Sequence, residues 1–318
     1  MTENNIDLSV VVPVYNEASG IVEFNRSLEH VLSKAGVKYE VIYVDDGSKD
    51  DSRAKIASLA KKNQKVRLVS LTRNFGKEAA TTAGLRVSRG KGTLLIDADG
   101  QHPVGLIPDF VSKWQAGAKV VVGVRRENKG EGWVKKHGSR WFYRIFNSVG
   151  NRHIVPGSTD YRLIDREVND AFNSLTERDR ITRGLIDWLG YPRDYIWFDA
   201  LPRENGKSGY TFGKLFKLAV DSVVSFSAAP LYAAALVGLA IACFATLVGV
   251  SMVVNYFLND PLSLNARASA YGMVLVLFLI GVILTFQGII GIYLSHIHNE
   301  VKNRPLYLAR RDEDDQSD

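Results

Sequence analysis

Two stretches of this 318-residue chain carry no formal charge: 38 residues between Asp221 and Asp260, and 32 between Arg267 and Glu300. Each exceeds the roughly 20 apolar residues that cross a bilayer as a helix. A chain holding both is not expected to be a wholly water-soluble globule. The spans are expected at Ala229–Leu258 and Ala270–Ser295, joined by a short loop whose basic residue is Arg267. Lys214, Lys217, Lys302, Arg304, Arg310 and Arg311 flank the opposite ends, so the positive-inside bias places the N-terminal region and the C-terminal tail in the cytosol. Gly281, Gly288 and Gly291 point to close helix packing, within the hairpin or between protomers, which leaves a homo-oligomer open. The opening MTENNID is polar and acidic, so neither a signal nor a transit peptide is expected. The single Cys243 excludes an intramolecular disulfide framework and a cysteine-built zinc site.

The net charge of +6 is unevenly placed. Residues 51–150 hold 20 Lys/Arg against 7 Asp/Glu, whereas residues 1–50 hold 4 against 9. A basic middle suits polyanionic partners (nucleic acid, phosphorylated ligands or anionic lipid) or is simply a solvated surface. Adjacent membrane spans favour phosphates and lipid, since a nucleic-acid binder would have no use for them. Residues 133–149 set Trp141, Phe142, Ile145, Phe146 and Val149 against Lys135, Lys136, Arg140 and Arg144. That pattern fits an amphipathic helix packed on a sheet or one lying in the membrane interface. Residues 211–223 repeat it directly before the first span, where the interfacial reading is favoured.

The first 125 residues alternate strand and helix. Apolar, β-branched runs at Leu8–Val14, Glu40–Val44, Val66–Leu71, Thr93–Ile96 and Lys119–Val124 predict buried parallel strands. Helical patterns over Ile21–Ala35, Ser52–Lys62, Glu78–Val87 and Leu106–Gln115 separate them. This alternation predicts a doubly wound α/β sheet with ligands beyond the carboxyl ends of its strands. Polar clusters fall at four such ends: Pro13–Glu17, Asp45–Ser48, Arg73–Lys77 and Asp97–Gln101. No GxGxxG follows the first strand and no GxxxxGK[ST] occurs, which argues against a dinucleotide oxidoreductase and a P-loop phosphotransferase.

Asp97, Asp99 and Gln101 alternate after the strand TLLI. In an extended segment, residues two apart point the same way. Three oxygen ligands would then face one spot and suit Mg²⁺ or Mn²⁺ on a diphosphate, although an Asp-x-Asp alone is also an ordinary acidic turn. Asp45 and Asp46 end the strand VIYV, where they either cap the following helix or bind a base or ribose.

Taken in order, VVPVYNE (11–17), VDDGS (44–48), RNFGKEAA (73–80) and DADGQHP (97–103) resemble the family 2 glycosyltransferases of GT-A fold. With STDYRLIDR (158–166), PRENGKSGY (202–210) and two terminal spans, the chain is similar to polyisoprenyl-phosphate glycosyltransferases, most of all the GtrB-type bactoprenol glucosyltransferases. The resemblance implies a GT-A (Rossmann-like) cytosolic catalytic domain over 1–210 and an amphipathic juxtamembrane helix over 211–227. A two-helix transmembrane hairpin over 228–296 and a cytosolic tail over 297–318 would follow, making a multi-pass protein of the inner (plasma) membrane.

The resemblance also assigns roles. Pro13, Tyr15, Glu17, Asp45 and Asp46 would line the nucleotide pocket with Lys77 approaching it, and Asp97, Asp99 and Gln101 would hold the metal. Arg125, Arg140, Arg144, Arg203 and Ser208 would take the acceptor phosphate. Asp160 matches an aspartate assigned as catalytic base, and orienting an arginine or a sugar hydroxyl is an equal alternative. Gly100 replaces a more usual leucine, and Gly209 stands where a lysine often follows the serine.

The implied reaction is inverting transfer of a hexose, glucose first, from UDP-hexose to polyprenyl (undecaprenyl) phosphate. GDP-mannose, UDP-GlcNAc or a UDP-amino sugar are alternative donors. A processive synthase is disfavoured because HxxRW (137–141) precedes Asp160 where QxxRW should follow it. A non-catalytic membrane scaffold would be expected to lose its metal carboxylates, and here they are retained.

Overall fold

The computed structural model describes residues 6–126, 155, 157–178, 180–199, 229–257 and 265–310. The chain divides into two compact units, Met1–Gly209 with Arg304–Asp318, and Tyr210–Asn303.

The first unit is built on seven strands: β1 (Leu8–Val14), β2 (Tyr39–Asp45), β3 (Val66–Ser70), β4 (Gly92–Leu95), β5 (Val120–Arg125), β6 (Ser158–Asp165) and β7 (Arg193–Phe198). They lie in the order β3-β2-β1-β4-β6-β5-β7. Its helices are α1 (Ile21–Lys34), α2 (Ser52–Lys62), α3 (Lys77–Val87), α4 (Ile107–Gln115), α5 (Arg166–Ser174) and α6 (Thr182–Leu189). Every residue of β2 is buried, and β1 is nearly so. Central parallel strands covered on both faces need such unbroken apolar runs. Helix α1 buries Ile21, Phe24, Leu28 and Leu32, a three-and-four spacing that makes one apolar stripe.

Strands β1 to β4 form the expected parallel array. The expectation of a wholly parallel sheet fails beyond them. β5 does not pair with β4; β6 enters between them, antiparallel to both, and β7 pairs parallel with β5. The sequence STDYRLID mixes polar and apolar residues, so its periodicity does not announce a central strand. Its far end fixes its place instead. Asp165 accepts hydrogen bonds from Trp114 Nε1 (2.9 Å) on α4 and from Lys119 Nζ (3.0 Å) beside β5, and it caps α5 through the Glu167 N–H.

In the second unit, α7 (Ala229–Phe257) has 29 residues and α8 (Asn265–Val301) has 37. At 1.5 Å per residue both exceed the ~30 Å hydrocarbon thickness of a bilayer. Among the described residues, one stretch, Phe278–Val301, is long and apolar enough to cross a membrane, with mean hydropathy 2.0. Its large side chains Phe278, Leu284 and Leu294 are exposed. The expected packing role of Gly281, Gly288 and Gly291 is not seen within this unit, for a Cβ at each would meet nothing within 4 Å among the described residues. The close approach is at Gly238 instead, where a Cβ would lie 3.2 Å from the Phe286 ring. The expected amphipathic helices at 133–149 and 211–223, and residues 311–318 of the tail, lie outside the described residues.

Candidate active site

The strand order reverses beside β1, which has β2 on one side and β4 on the other. Open α/β sheets bind ligands in the crevice at such a switch point. Here a cleft is lined by Pro13 from β1, Lys77 and Glu78 from α3, Asp97 from the turn after β4, Asp160 and Arg162 from β6, and Arg183 from α6.

Sheet register explains why two carboxylates meet. β4 and β6 pair Gly92 with Asp165 and Leu95 with Arg162. Continuing that antiparallel register by two residues sets Asp97 opposite Asp160. Two like charges across a strand pair repel, and Lys77 resolves the conflict. Its Nζ lies 2.7 Å from Asp97 Oδ1 and 2.8 Å from Asp160 Oδ2. Burial pushes the Asp160 carboxyl up, but Lys77, with Arg183 and Arg162 nearby, outweighs it and holds the group down at about 2. Burial likewise opposes the charge on Lys77, and the two carboxylates raise its pKa well above the usual lysine range.

The lysine opens α3, directly after a loop that two aspartates shape. Asp46, 2% exposed, accepts hydrogen bonds from the backbone N–H groups of Phe75 (2.7 Å) and Gly76 (2.9 Å). Burial raises the Asp46 carboxyl above its ordinary range against the pull of those two bonds. Asp45, also buried, accepts from the Ser48 N–H at 3.1 Å and turns the chain after β2. At Gly47 (φ 67°) a Cβ would fall 2.4 Å from the Arg73 carbonyl carbon, so only glycine lets the two loops touch. Asn16, Glu17 and Ala18 donate their N–H groups to Ser48, Ser52 and Asp50, which knits the β1 loop to the β2 loop.

Asp97, Asp99 and Gln101 do not extend as a strand. The chain turns after β4, Gly100 has φ 73°, and the Gln101 N–H donates to Asp99 Oδ1 at 3.1 Å. The alternation that would aim three side chains at one point therefore does not apply, because a tight turn replaces extended backbone. The left-handed backbone also gives Gly100 a reason that its usual leucine would not satisfy. Asp97 faces Lys77, while Asp99 lines a second, open cavity with Glu17, Glu23 and His102. Among the described residues no three His, Cys, Asp or Glu side chains gather as a metal cluster. Tyr15 is 41% exposed, and Arg125 stands exposed at the end of β5. Arg140, Arg144, Arg203 and Ser208 lie outside the described residues.

Several participants went unread in the sequence. Arg162, 1% exposed, pairs with Asp187 at 3.1 Å, yet its Nη2 has no hydrogen-bond partner among the described residues. Strand alternation from Asp160 to Arg162 was the available signal. His102 is buried against Tyr161 and Phe198, and its Nδ1 accepts from the Asp97 N–H at 3.3 Å. Burial lowers its pKa below the usual value despite Asp97 and Asp99 nearby, so it packs as a neutral ring. Glu78 accepts from the backbone and hydroxyl of Thr182, which ties α3 to the start of α6.

A family model described as "Glycosyl transferase family 2" matches residues 9–172, which include Pro13, Lys77, Asp97 and Asp160. The chain belongs to that family. This family 2 enzyme is a glycosyltransferase, with the mixed α/β sheet of the GT-A type. It is 35% identical over 306 residues to the SfII prophage-derived bactoprenol glucosyl transferase of Shigella flexneri, covering 96% of this chain and 97% of that protein. The prophage bactoprenol glucosyl transferase homolog of Escherichia coli K12 is 33% identical, with 96% and 98% covered. An uncharacterized glycosyltransferase of Synechocystis is 37% identical over 310 residues, with 96% and 95% covered. The chain is thus a family 2 glycosyltransferase of the GtrB-type branch.

Proposed function

We propose that this glycosyltransferase moves a hexose, glucose first, from a UDP-hexose to a polyprenyl phosphate with inversion, at the cytosolic face of the inner membrane. The reading rests on the Lys77–Asp97–Asp160 cluster at the switch point, in a chain similar over nearly its whole length to bactoprenol glucosyl transferases. Helices α7 and α8 would form the two-span hairpin that keeps this domain beside its lipid acceptor, after a catalytic domain over 1–210 and a juxtamembrane helix over 211–227.

A lipid phosphate has a second pKa of about 6 and is mostly dianionic at pH 7, so it attacks without losing a proton to the enzyme. Asp160, held at about 2, is a poor base near neutrality. It orients Lys77 and balances charge, which favours the orienting role over general base. Lys77 would meet the donor's diphosphate as its bonds to the carboxylates loosen, and Pro13, Tyr15, Glu17, Asp45 and Asp46 would shape the nucleotide end. Arg125, with Arg140, Arg144, Arg203 and Ser208, would position the acceptor phosphate against repulsion from the donor.

The carboxylates of Asp97 and Asp99 and the amide oxygen of Gln101 are hard donors, which suit Mg²⁺ or Mn²⁺. Mg²⁺ is commonly held by one or two carboxylates completed by substrate phosphate oxygens. Asp97 faces Lys77 and Asp99 the neighbouring cavity, so sharing one ion would require the turn at Gly100 to bring them together. When bound, the ion would offset charge on the departing UDP.

Purified protein incubated with undecaprenyl phosphate, Mg²⁺ or Mn²⁺, and a panel of labelled UDP-glucose, UDP-GlcNAc, UDP-amino sugar and GDP-mannose tests the reading by mass spectrometry. A glucosyl-phosphoryl lipid is expected. Product on a soluble acceptor only, or none from any donor, would overturn it. Arg140→Ala should raise the KM for lipid phosphate more than that for nucleotide sugar.

A further inference from the structure

β3 is the last strand of the sheet, and its outer edge would otherwise show unpaired backbone. The chain itself covers the end of that edge. Leu71 and Ala309 form an antiparallel bridge, in which the Thr72 N–H donates to Leu308 O at 2.9 Å and the Arg310 N–H donates to Ser70 O at 2.7 Å. Arg310 Nε also donates to Leu71 O at 3.3 Å, and the Arg86 guanidinium sits over the Tyr307 ring at 5.8 Å. Leu308 remains 53% exposed, so backbone pairing rather than a buried side chain holds the segment.

The bridged residues lead directly into the loop that precedes Lys77, the first residue of α3. Thr72 is followed by Arg73–Gly76, whose far end is held by Asp46 through the Phe75 and Gly76 N–H groups. The loop is thus fixed at its exit by a buried carboxylate and at its entry by the C-terminal segment. That segment begins five residues after Val301, the last residue of α8, the helix holding the apolar stretch Phe278–Val301.

We propose that Leu306–Arg310 is a positioning strap: by bridging the chain where it leaves β3 it sets residues 72–76, and through them the place of Lys77 in the donor cleft. Arg310 is its principal positioning residue, contributing both a backbone donor and a guanidinium. The strap rests on the reading above in one respect, that Lys77 meets the nucleotide-sugar diphosphate. Main-chain pairing of this kind makes little demand on side-chain identity.

The test uses the full-length enzyme in lipid nanodiscs, with Arg310→Pro, Arg310→Lys, Leu308→Ala and a stop after Asn303. Two quantities are measured: hydrogen exchange at the Thr72 amide, and KM and kcat for the nucleotide sugar at saturating lipid phosphate. Arg310→Pro removes the N–H that reaches Ser70. It should speed Thr72 exchange about tenfold or more and raise the donor KM about fivefold, with kcat within about twofold. Arg310→Lys keeps the backbone bond and should restore most of the donor KM. Leu308→Ala should match the parent in both measurements, and the truncation should raise the donor KM at least as far as Arg310→Pro. Faster Thr72 exchange with an unchanged donor KM would make the strap merely structural and overturn the proposal. So would unchanged exchange, or a fall in kcat alone. Lys77→Met separates the two readings. It should depress transfer while the Thr72 amide stays protected. Unaltered transfer there overturns the site reading, whereas an unaltered donor KM in Arg310→Pro overturns the strap alone.

Discussion

The two halves of the sheet are built on different terms. From β3 to β4 every neighbour is parallel, each crossover carries a helix, and the strands are apolar along almost their whole length. From β6 to β7 the directions are mixed, and β6 arrives from 33 residues beyond β5 to lie between it and β4. The first half is a regular scaffold that can hold a nucleotide at its loops. The second half brings the counter-charge. Asp160 on β6 faces Asp97 after β4, and neither half alone would contain the pair that Lys77 bridges. The two halves share one hydrophobic core, in which Leu94 of β4 packs with Leu163 of β6, and at this seam the polar pair lies just beyond the carboxyl end of β4.

Substitutions on either side of that seam should behave differently, and the largest effect belongs at it. Asp99→Ala is expected to abolish transfer and metal-dependent UDP-sugar binding, read by turnover and by calorimetry with and without Mn²⁺. Near-normal turnover in that variant would remove the metal from the site. Lys77→Met should lower kcat/KM about 100-fold, the usual scale for losing one charge-stabilising donor in a closed site. Its melting temperature is the second measurement, because Asp97 and Asp160 are then left facing one another uncompensated.

Away from the seam, the core of the first half should respond in stability alone. Leu28→Ala on α1 should cost about 2–5 kcal/mol on denaturation, with kcat of the folded fraction preserved. A change in kcat there would mean that scaffold and seam are not separable. Asp46→Ala is intermediate: two buried N–H groups lose their acceptor, at about 1–3 kcal/mol each in the general case, and the donor KM should rise with it.

The smallest effect concerns acid. The folded-state pKa of Asp160, about 2, lies below its unfolded value near 3.8. Its contribution to stability is therefore complete above about pH 4 and is lost as pH falls toward 2. Acid titration of unfolding should show this component in the parent, and it should shrink in Lys77→Met. An identical acid limb in both would mean that the lysine does not hold the carboxylate.

How much was legible follows the same division. The boundaries expected for β1, α2 and α4 come within a residue of those observed, since long apolar runs broken by caps and turns are local signals. Lys77, Asp97 and Asp160 were named from their motifs, yet their mutual contact was not, because the lysine and Asp160 are 83 residues apart in the chain. The aim of Asp97, Asp99 and Gln101 at one point was inferred from alternation and failed where Gly100 turns the chain. Arg162 and His102 escaped notice because burial, which gives them their roles, leaves no mark on neighbouring residues in sequence.

Sequence by itself determined the parallel half-sheet, the apolar helices and the family, because hydrophobic period and short motifs are properties of neighbouring residues. Tertiary structure alone decided that β6 runs backward between β4 and β5, that one lysine shares two aspartates, and that the C-terminal segment bridges the chain where it leaves β3. Those are pairings across the chain, fixed by which backbone and charge remain unsatisfied once the local elements have formed.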